Sequence, residues 1–228
     1  MARPKRNQQH PDLQAAIKET ACKQIAASGA AALSLRAIAR ELGITAPAIY
    51  HYFPSRDDLV TALIIDAYNS LAAALAASQE GGKESHAERI MALARAYRGW
   101  ALARPQEYSL IFGTPIPNYH APMEITGPAA AGAMAVLIDA LDAIWREGTL
   151  KVEGVLSATP DMVQAWIDKF DYKGPPAVIH FTMATWAQIH GLVSLELYGH
   201  LTAVPESVDV DSFFETEIRA MVTRMCVE

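Results

Sequence analysis

The stretch that most constrains this chain is Leu33 to Leu59, LSLRAIARELGITAPAIYHYFPSRDDL. Leu35, Ile38, Ala39 and Leu42 recur at three- and four-residue spacing. That puts them on one face of a short helix and leaves Arg36, Arg40 and Glu41 on the other. Ser34 stands at the N-cap position, although Ala37 cannot close a reciprocal capping box. Gly43 then stops the helix, because glycine takes the left-handed turn without a steric penalty. Ile44 follows as an apolar plug, and Thr45 is placed to cap a second short helix, Ala46 to Tyr52, whose first turn tolerates Pro47. Two short helices joined by a tight glycine turn make a helix-turn-helix, the unit that sets its second helix in the DNA major groove.

The run LSLRAIARELGI, then APAIYHYF, then PSRDDL opening a longer helix, resembles the DNA-binding domain of the TetR family of transcriptional regulators. The likeness spans about the first 65 residues, with turn, tyrosine, phenylalanine and capped next helix at the family's spacing. A bare helix-turn-helix pattern would be equally at home in an ordinary helical bundle; the flanking helices separate the two readings.

The overall charge of −6 hides a split. Residues 1–56 hold Arg3, Lys5, Arg6, Lys18, Lys23, Arg36, Arg40 and Arg56 against Asp12, Glu19 and Glu41, a net of +5, which leaves −11 for the other 172. A basic head on an acidic body directs phosphate binding to one end. The chain length of 228 suits one large or two small domains, and the division falls at 1–56 for the DNA-binding head and 57–228 for the body. With 51% hydrophobic residues and abundant alanine, helix is favoured over strand. No unbroken run approaches the roughly 18 apolar residues of a membrane span. The N-terminus, MARPKRNQQH, is positive but has no apolar stretch behind it, unlike a signal peptide. Cys22 and Cys226 sit at opposite ends, neither with a second cysteine nearby for a metal or redox motif. The expectation is an all-α, cytoplasmic protein without cofactor or membrane span.

Along the chain, Arg3, Lys5 and Arg6 form a short basic arm suited to a phosphate backbone or a minor groove, or else a solubilising tail. A bracing helix is predicted from Asp12 to Ser28, with Leu13, Ile17, Ala21 and Ile25 inward and Gly29 ending it. Ser55 and Asp58 form a box that opens a long helix reaching towards Ala77. QEGGKESH, Gln79 to His86, breaks the pattern; helices follow at Ala87 to Ala103 and Gln106 to Phe112. Three prolines between Gly113 and Pro122 exclude regular helix there. Further helices are predicted at Glu124 to Arg146, Asp161 to Phe170, Ala177 to Tyr198 and Asp209 to Cys226, with Lys151 to Ser157 as a loop.

Trp186 to Leu197, WAQIHGLVSLEL, is similar to the C-terminal regulatory domain of a TetR subgroup named for a Trp-His-Gly signature, matched here by Trp186, His190 and Gly191. YRGWALARPQEY, Tyr97 to Tyr108, and the proline-rich loop agree with it. The resemblance implies a homodimer through the last two long helices and an effector pocket inside the bundle. The residues point the same way. Met183, Trp186, Ala187, His190, Gly191, Ser194, Leu197 and Tyr198 share one stripe, and Phe213, Phe214, Ile218, Met221, Val222 and Met225 form an apolar face on the last helix. Faces so apolar need cover from their own domain or from a second copy.

Duplex DNA is the expected macromolecular partner. Phosphate contacts fall to Tyr50, Tyr52, Arg56 and the N-terminal arm; base-edge candidates are Arg36, Thr45, Ala46, Pro47 and His51. The second helix has no Arg, Lys, Asn or Gln, so Arg36 alone among these can pair bidentately with guanine, while Ala46 and Pro47 suit thymine methyls. Tyr97, Trp100, Tyr108, Phe112, Trp145 and Trp186 are the effector-lining candidates, since pockets are apolar with a few polar groups, although a helical body also needs an aromatic core. Arg95, Arg98 and Arg104 meet either an anionic ligand or solvent. No GxSxG, phosphate-cradling loop or nucleophile motif argues for an enzyme. His180, His190 and His200, ten residues apart, do not share a helical turn as metal ligands would. A ligand-responsive repressor is the reading; a helical scaffold or a metal sensor is the alternative.

Overall fold

The computed structural model describes residues 12–81, 85–152, 159–201 and 209–226; the arm carrying Arg3, Lys5 and Arg6, and most of the expected loop after Lys151, lie outside them. Among the described residues there are ten α-helices and no strand, and Leu150 and Cys226 form an isolated antiparallel bridge.

The first compact unit comprises residues up to Ala67 with Gln106–Gly127. Its helix α1 (Leu13–Ser28) starts where Asp12 accepts the Ala15 amide at 2.9 Å and stops at Gly29, φ +77°. A 3-10 turn, Ala30–Ala32, leads to α2 (Leu35–Glu41), capped by Ser34, whose hydroxyl accepts the Ala37 amide. At the far end of α2 Gly43 takes φ +64°. Its amide bonds Arg40 O and the Ile44 amide bonds Ala39 O, a Schellman closure that turns the chain into α3 (Ala46–Tyr52). Ser55 and Asp58 bond reciprocally to open α4 (Arg56–Ser78). Ile17, Ile38, Ile49, Leu59 and Val60 are fully buried, so each helix contributes its apolar stripe to a common core. Lys18 pairs with Asp66 at 2.7 Å, and Tyr119, in the proline-rich loop after α6 (Pro105–Phe112), shares a 2.9 Å hydrogen bond with Thr61.

The second unit comprises Tyr68–Pro105 and the chain from Pro128 onward. Helix α5 (His86–Ala103) carries a capping box between Ser85 and Glu88. It packs on α9 (Pro176–Leu197) and α10 (Val210–Met225), while α8 (Asp161–Phe170) packs on α9. Helix α7 (Met123–Arg146) tolerates Pro128 inside its span, at the loss of one backbone bond. Gly174 lies so close under the Tyr172 ring that a Cβ there would sit 2.1 Å from the tyrosine oxygen. The glycine therefore lets Tyr172 reach Asp142, to which its hydroxyl donates at 2.6 Å.

Two helices are apolar on average without holding an unbroken apolar run. Over 18-residue windows α4 and α7 reach mean hydropathies of 1.6 and 1.4, enough by length and composition for a span. Asp66 in α4 and Asp139 and Asp142 in α7 interrupt the run, and the alanines raise the average. Their Leu59, Leu63, Leu137 and Leu141 are buried in the packed cores.

The strongest polar clasp in the second unit is centred on Arg98. Its guanidinium forks onto Glu196 of α9, two bonds of 2.6 Å, also bonds Asp211 of α10, and lies 5.1 Å over the Phe214 ring. Arg98 and Glu196 side chains are only 17% and 16% exposed, so removing one leaves the other largely desolvated and unpaired. Arg98→Ala should lower the unfolding free energy by about 2–4 kcal/mol, read by urea denaturation. A loss below about 0.5 kcal/mol, the range of ordinary surface substitutions, would show that the clasp does not hold the three helices together.

Candidate nucleic-acid interface

Burial of Ile49 sets the orientation of α3. With that side chain at 0% exposure, Pro47, Tyr50, His51 and Tyr52 are left at the surface, the two tyrosines 41% exposed. His51 and Tyr52 meet edge to face, ring centroids 5.4 Å apart. On α2, Arg36 is exposed, and so is Arg40 one turn on, on the same side of the helix. Neither makes an ion pair among the described residues. Arg40 was overlooked as a contact candidate, although its spacing of four from Arg36 was legible.

Thr45 departs from expectation. It occupies the N-cap position, but its hydroxyl makes no capping bond. Pro47 has no amide hydrogen to offer, and the Ala48 amide goes to the Thr45 backbone oxygen at 2.9 Å. The exposed hydroxyl is left to face outward beside half-buried Ala46. Arg56, expected at the phosphate backbone, donates from Nη2 to the Ala30 and Ala31 carbonyls at 2.8 and 3.3 Å, and its Nη1 faces Asp57 at 3.4 Å, with the side chain 27% exposed.

The six aromatic residues proposed for an effector do not all belong to one unit. Tyr108, fully buried, and Phe112 belong to the first, their rings 5.2 Å apart. Tyr97, Trp100, Trp145 and Trp186 belong to the second. There Trp100 and Tyr97 are buried on α5, and Trp100 Nε1 donates to Ser70 at 3.0 Å. Trp186 lies between Trp166 of α8, ring centroids 6.5 Å apart, and His190, at 5.5 Å, each pair tilted by 37°. Trp145 stands apart, on an open cleft of about 540 Å³ that also takes in Ile138, Asp139, Asp142, Phe170 and Tyr172. Arg146 pairs with Asp142, and Lys173 with Asp171, so the cleft's charges largely answer one another. Arg95 and Arg98 are not open to an anionic ligand: they fork onto Glu215 and Glu196. Among the described residues no three His, Cys, Asp or Glu side chains gather as a metal ion requires.

The two C-terminal apolar faces are covered differently. On α10, Phe214, Ile218, Met221, Val222 and Met225 are buried within their own unit, and Phe213 stays exposed. On α9 the core side is Val178, Ile179, Thr182, Ile189 and Val193. The stripe from Met183 to Tyr198 remains half-buried or exposed, Tyr198 at 48%, and Leu195 outside it is 43% exposed. His190 lies in that stripe, its Nδ1 2.8 Å from the Tyr97 hydroxyl.

The model for bacterial regulatory proteins of the tetR family matches residues 17–63, and the Tetracyclin repressor-like C-terminal domain matches residues 90–221. The second match supports the C-terminal likeness at the level of the family; the Trp-His-Gly subgroup is not what it identifies. The HTH-type transcriptional regulator Rv1816 of Mycobacterium tuberculosis is 34% identical over 221 residues, covering 96% of this chain and 94% of that one. The crystal structure of SCO4313 superposes with a TM-score of 0.75 at 39% identity, over 95% of this chain and 98% of that one. A TetR variant of Acinetobacter baumannii in complex with minocycline shares the fold, with a TM-score of 0.54 at 18% identity over 91% and 93%.

Burial pushes the His190 imidazole below the ordinary histidine value of 6.5. Just below that pH the unfolded chain binds more protons here than the folded one, so this group's contribution makes stability rise with pH and fade as pH falls. His190→Gln should flatten the dependence of unfolding free energy on pH below the ordinary histidine value, measured by denaturant titration at each pH. An unchanged slope would assign the dependence to other groups.

Proposed function

Because the chain belongs to the TetR family of bacterial transcriptional regulators, we propose that it is a dimeric repressor, held on a palindromic operator and released by a small, mostly apolar molecule. It is a DNA-binding regulator and not an enzyme. The observation that carries the reading is the polar, aromatic face raised by α2 and α3 around buried Ile49. Residues 1–56 are the DNA-binding part and 57–228 the effector-binding and dimerisation part.

On the duplex, Tyr50 and Tyr52 hold phosphates and Arg36 pairs with a guanine edge, where a bidentate contact discriminates by about 1–3 kcal/mol. Thr45, with its hydroxyl uncommitted, and His51 supply further polar contacts; Ala46 and Pro47 meet thymine methyls. A single head reads one half-site, and a symmetric pair reads two sites about 34–36 Å apart. Exposed Leu195 and Tyr198 on α9 and Phe213 on α10 support pairing through the last two long helices. Tyr97, Trp100, Tyr108, Phe112, Trp145 and Trp186 remain the aromatic candidates for the effector. An effector that prefers a body conformation in which α4 is tilted lowers operator affinity by that preference alone.

Two outcomes test this. Arg36→Ala should reduce discrimination between a selected operator and scrambled duplex roughly tenfold or more, with little change on scrambled DNA; a uniform loss on both would remove Arg36 as the base reader. Leu195→Glu with Tyr198→Glu should yield monomers by analytical ultracentrifugation and weaken operator binding. A variant that still sediments as a dimer places the interface elsewhere.

A further inference from the structure

Arg56 lies at the first residue of α4, at the exit of the helix-turn-helix, and reaches back 26 residues to its entrance. The entrance is Gly29 followed by Ala30, Ala31 and Ala32, a link with no side chain able to anchor it before buried Leu33. Immediately after it come the Ser34 cap and Arg36. The Arg56 guanidinium satisfies two carbonyls of this link from one nitrogen, while Asp57 lies on the other terminal nitrogen. Nε is buried and has no hydrogen-bond partner among the described residues. Both terminal nitrogens thus have partners inside the head, and the Asp57 carboxylate beside them repels an approaching phosphate. The planar fork serves the link through one terminal nitrogen and Asp57 through the other; an ammonium is a single point donor on a flexible chain and must give up one of the two.

We propose that Arg56 is a positioning residue: it closes the helix-turn-helix by tying the α1–α2 link to the first turn of α4, and so sets the angle at which Arg36 is presented, without touching DNA itself. The proposal rests on α2 and α3 being the DNA-reading face.

The test compares wild type, Arg56→Lys and Arg56→Gln in the full chain. The DNA is a duplex recovered by wild type from a random pool, with a scrambled duplex of equal length. Both variants should lose hydrogen-exchange protection over residues 30–35. Both should bind the recovered duplex about tenfold more weakly, the scale of a lost hydrogen bond to a charged group. The slope of affinity against salt should stay that of wild type in both, because no phosphate contact is removed. If Arg56→Lys keeps wild-type affinity while Arg56→Gln reduces the salt slope by about one, Arg56 neutralises a phosphate and the proposal is overturned. Unchanged exchange over 30–35 overturns it as well. Should Arg56→Gln fail to fold, Arg56→Lys carries both readouts. Should wild type retain no duplex, it is the DNA-reading face that fails, and exchange still decides the brace.

Discussion

Seven residues do not make a stable helix in water, and α2 and α3 have seven each. Their shape therefore depends on burial of Ile38 and Ile49, fully enclosed like Ile17 on α1 and Leu59 and Val60 on α4. At about 1.5–3 kcal/mol per fully buried aliphatic side chain, this shared core outweighs any intrinsic helix preference of the two segments. The reading face follows from it. Once Ile49 points in, Tyr50, His51 and Tyr52 have nowhere to go but out.

The body is held by the same apolar burial, supplemented by charges that cross between helices. Arg95 and Arg98 on α5 engage Glu215, Glu196 and Asp211, which ties α5 to both C-terminal helices. The Gln188 amide donates to the Glu217 carbonyl, and Lys151 meets the Met225 carbonyl beside the Leu150 to Cys226 bridge, so the chain end is fastened too. With the apolar face of α10 buried in its own unit, the large apolar side chains that these two helices leave exposed are Leu195, Tyr198 and Phe213. The α9 stripe mixes small and large side chains, the composition that lets a second helix approach closely.

Much of this was legible in the chain. Asp12, Ser34, Gly43 and the Ser55–Asp58 box end or begin helices as their types demand, and α8 spans the stretch that periodicity assigns to it. The misreadings have identifiable causes. Thr45 was expected to cap α3, but Pro47 deprives it of one donor and the backbone takes the other. Arg95 and Arg98 looked available because their acidic partners lie about a hundred residues downstream.

The sequence by itself determined the helices, their boundaries, the turn geometry and the family, because caps, glycine turns and periodic stripes are settled by residues within one or two turns of each other. Tertiary structure alone decided where the long polar side chains end. Arg56 and Arg98 carry no local mark that separates a surface cation from an internal brace. Their flexible stems reach whatever acceptors the fold brings near, and those acceptors come from distant stretches of chain.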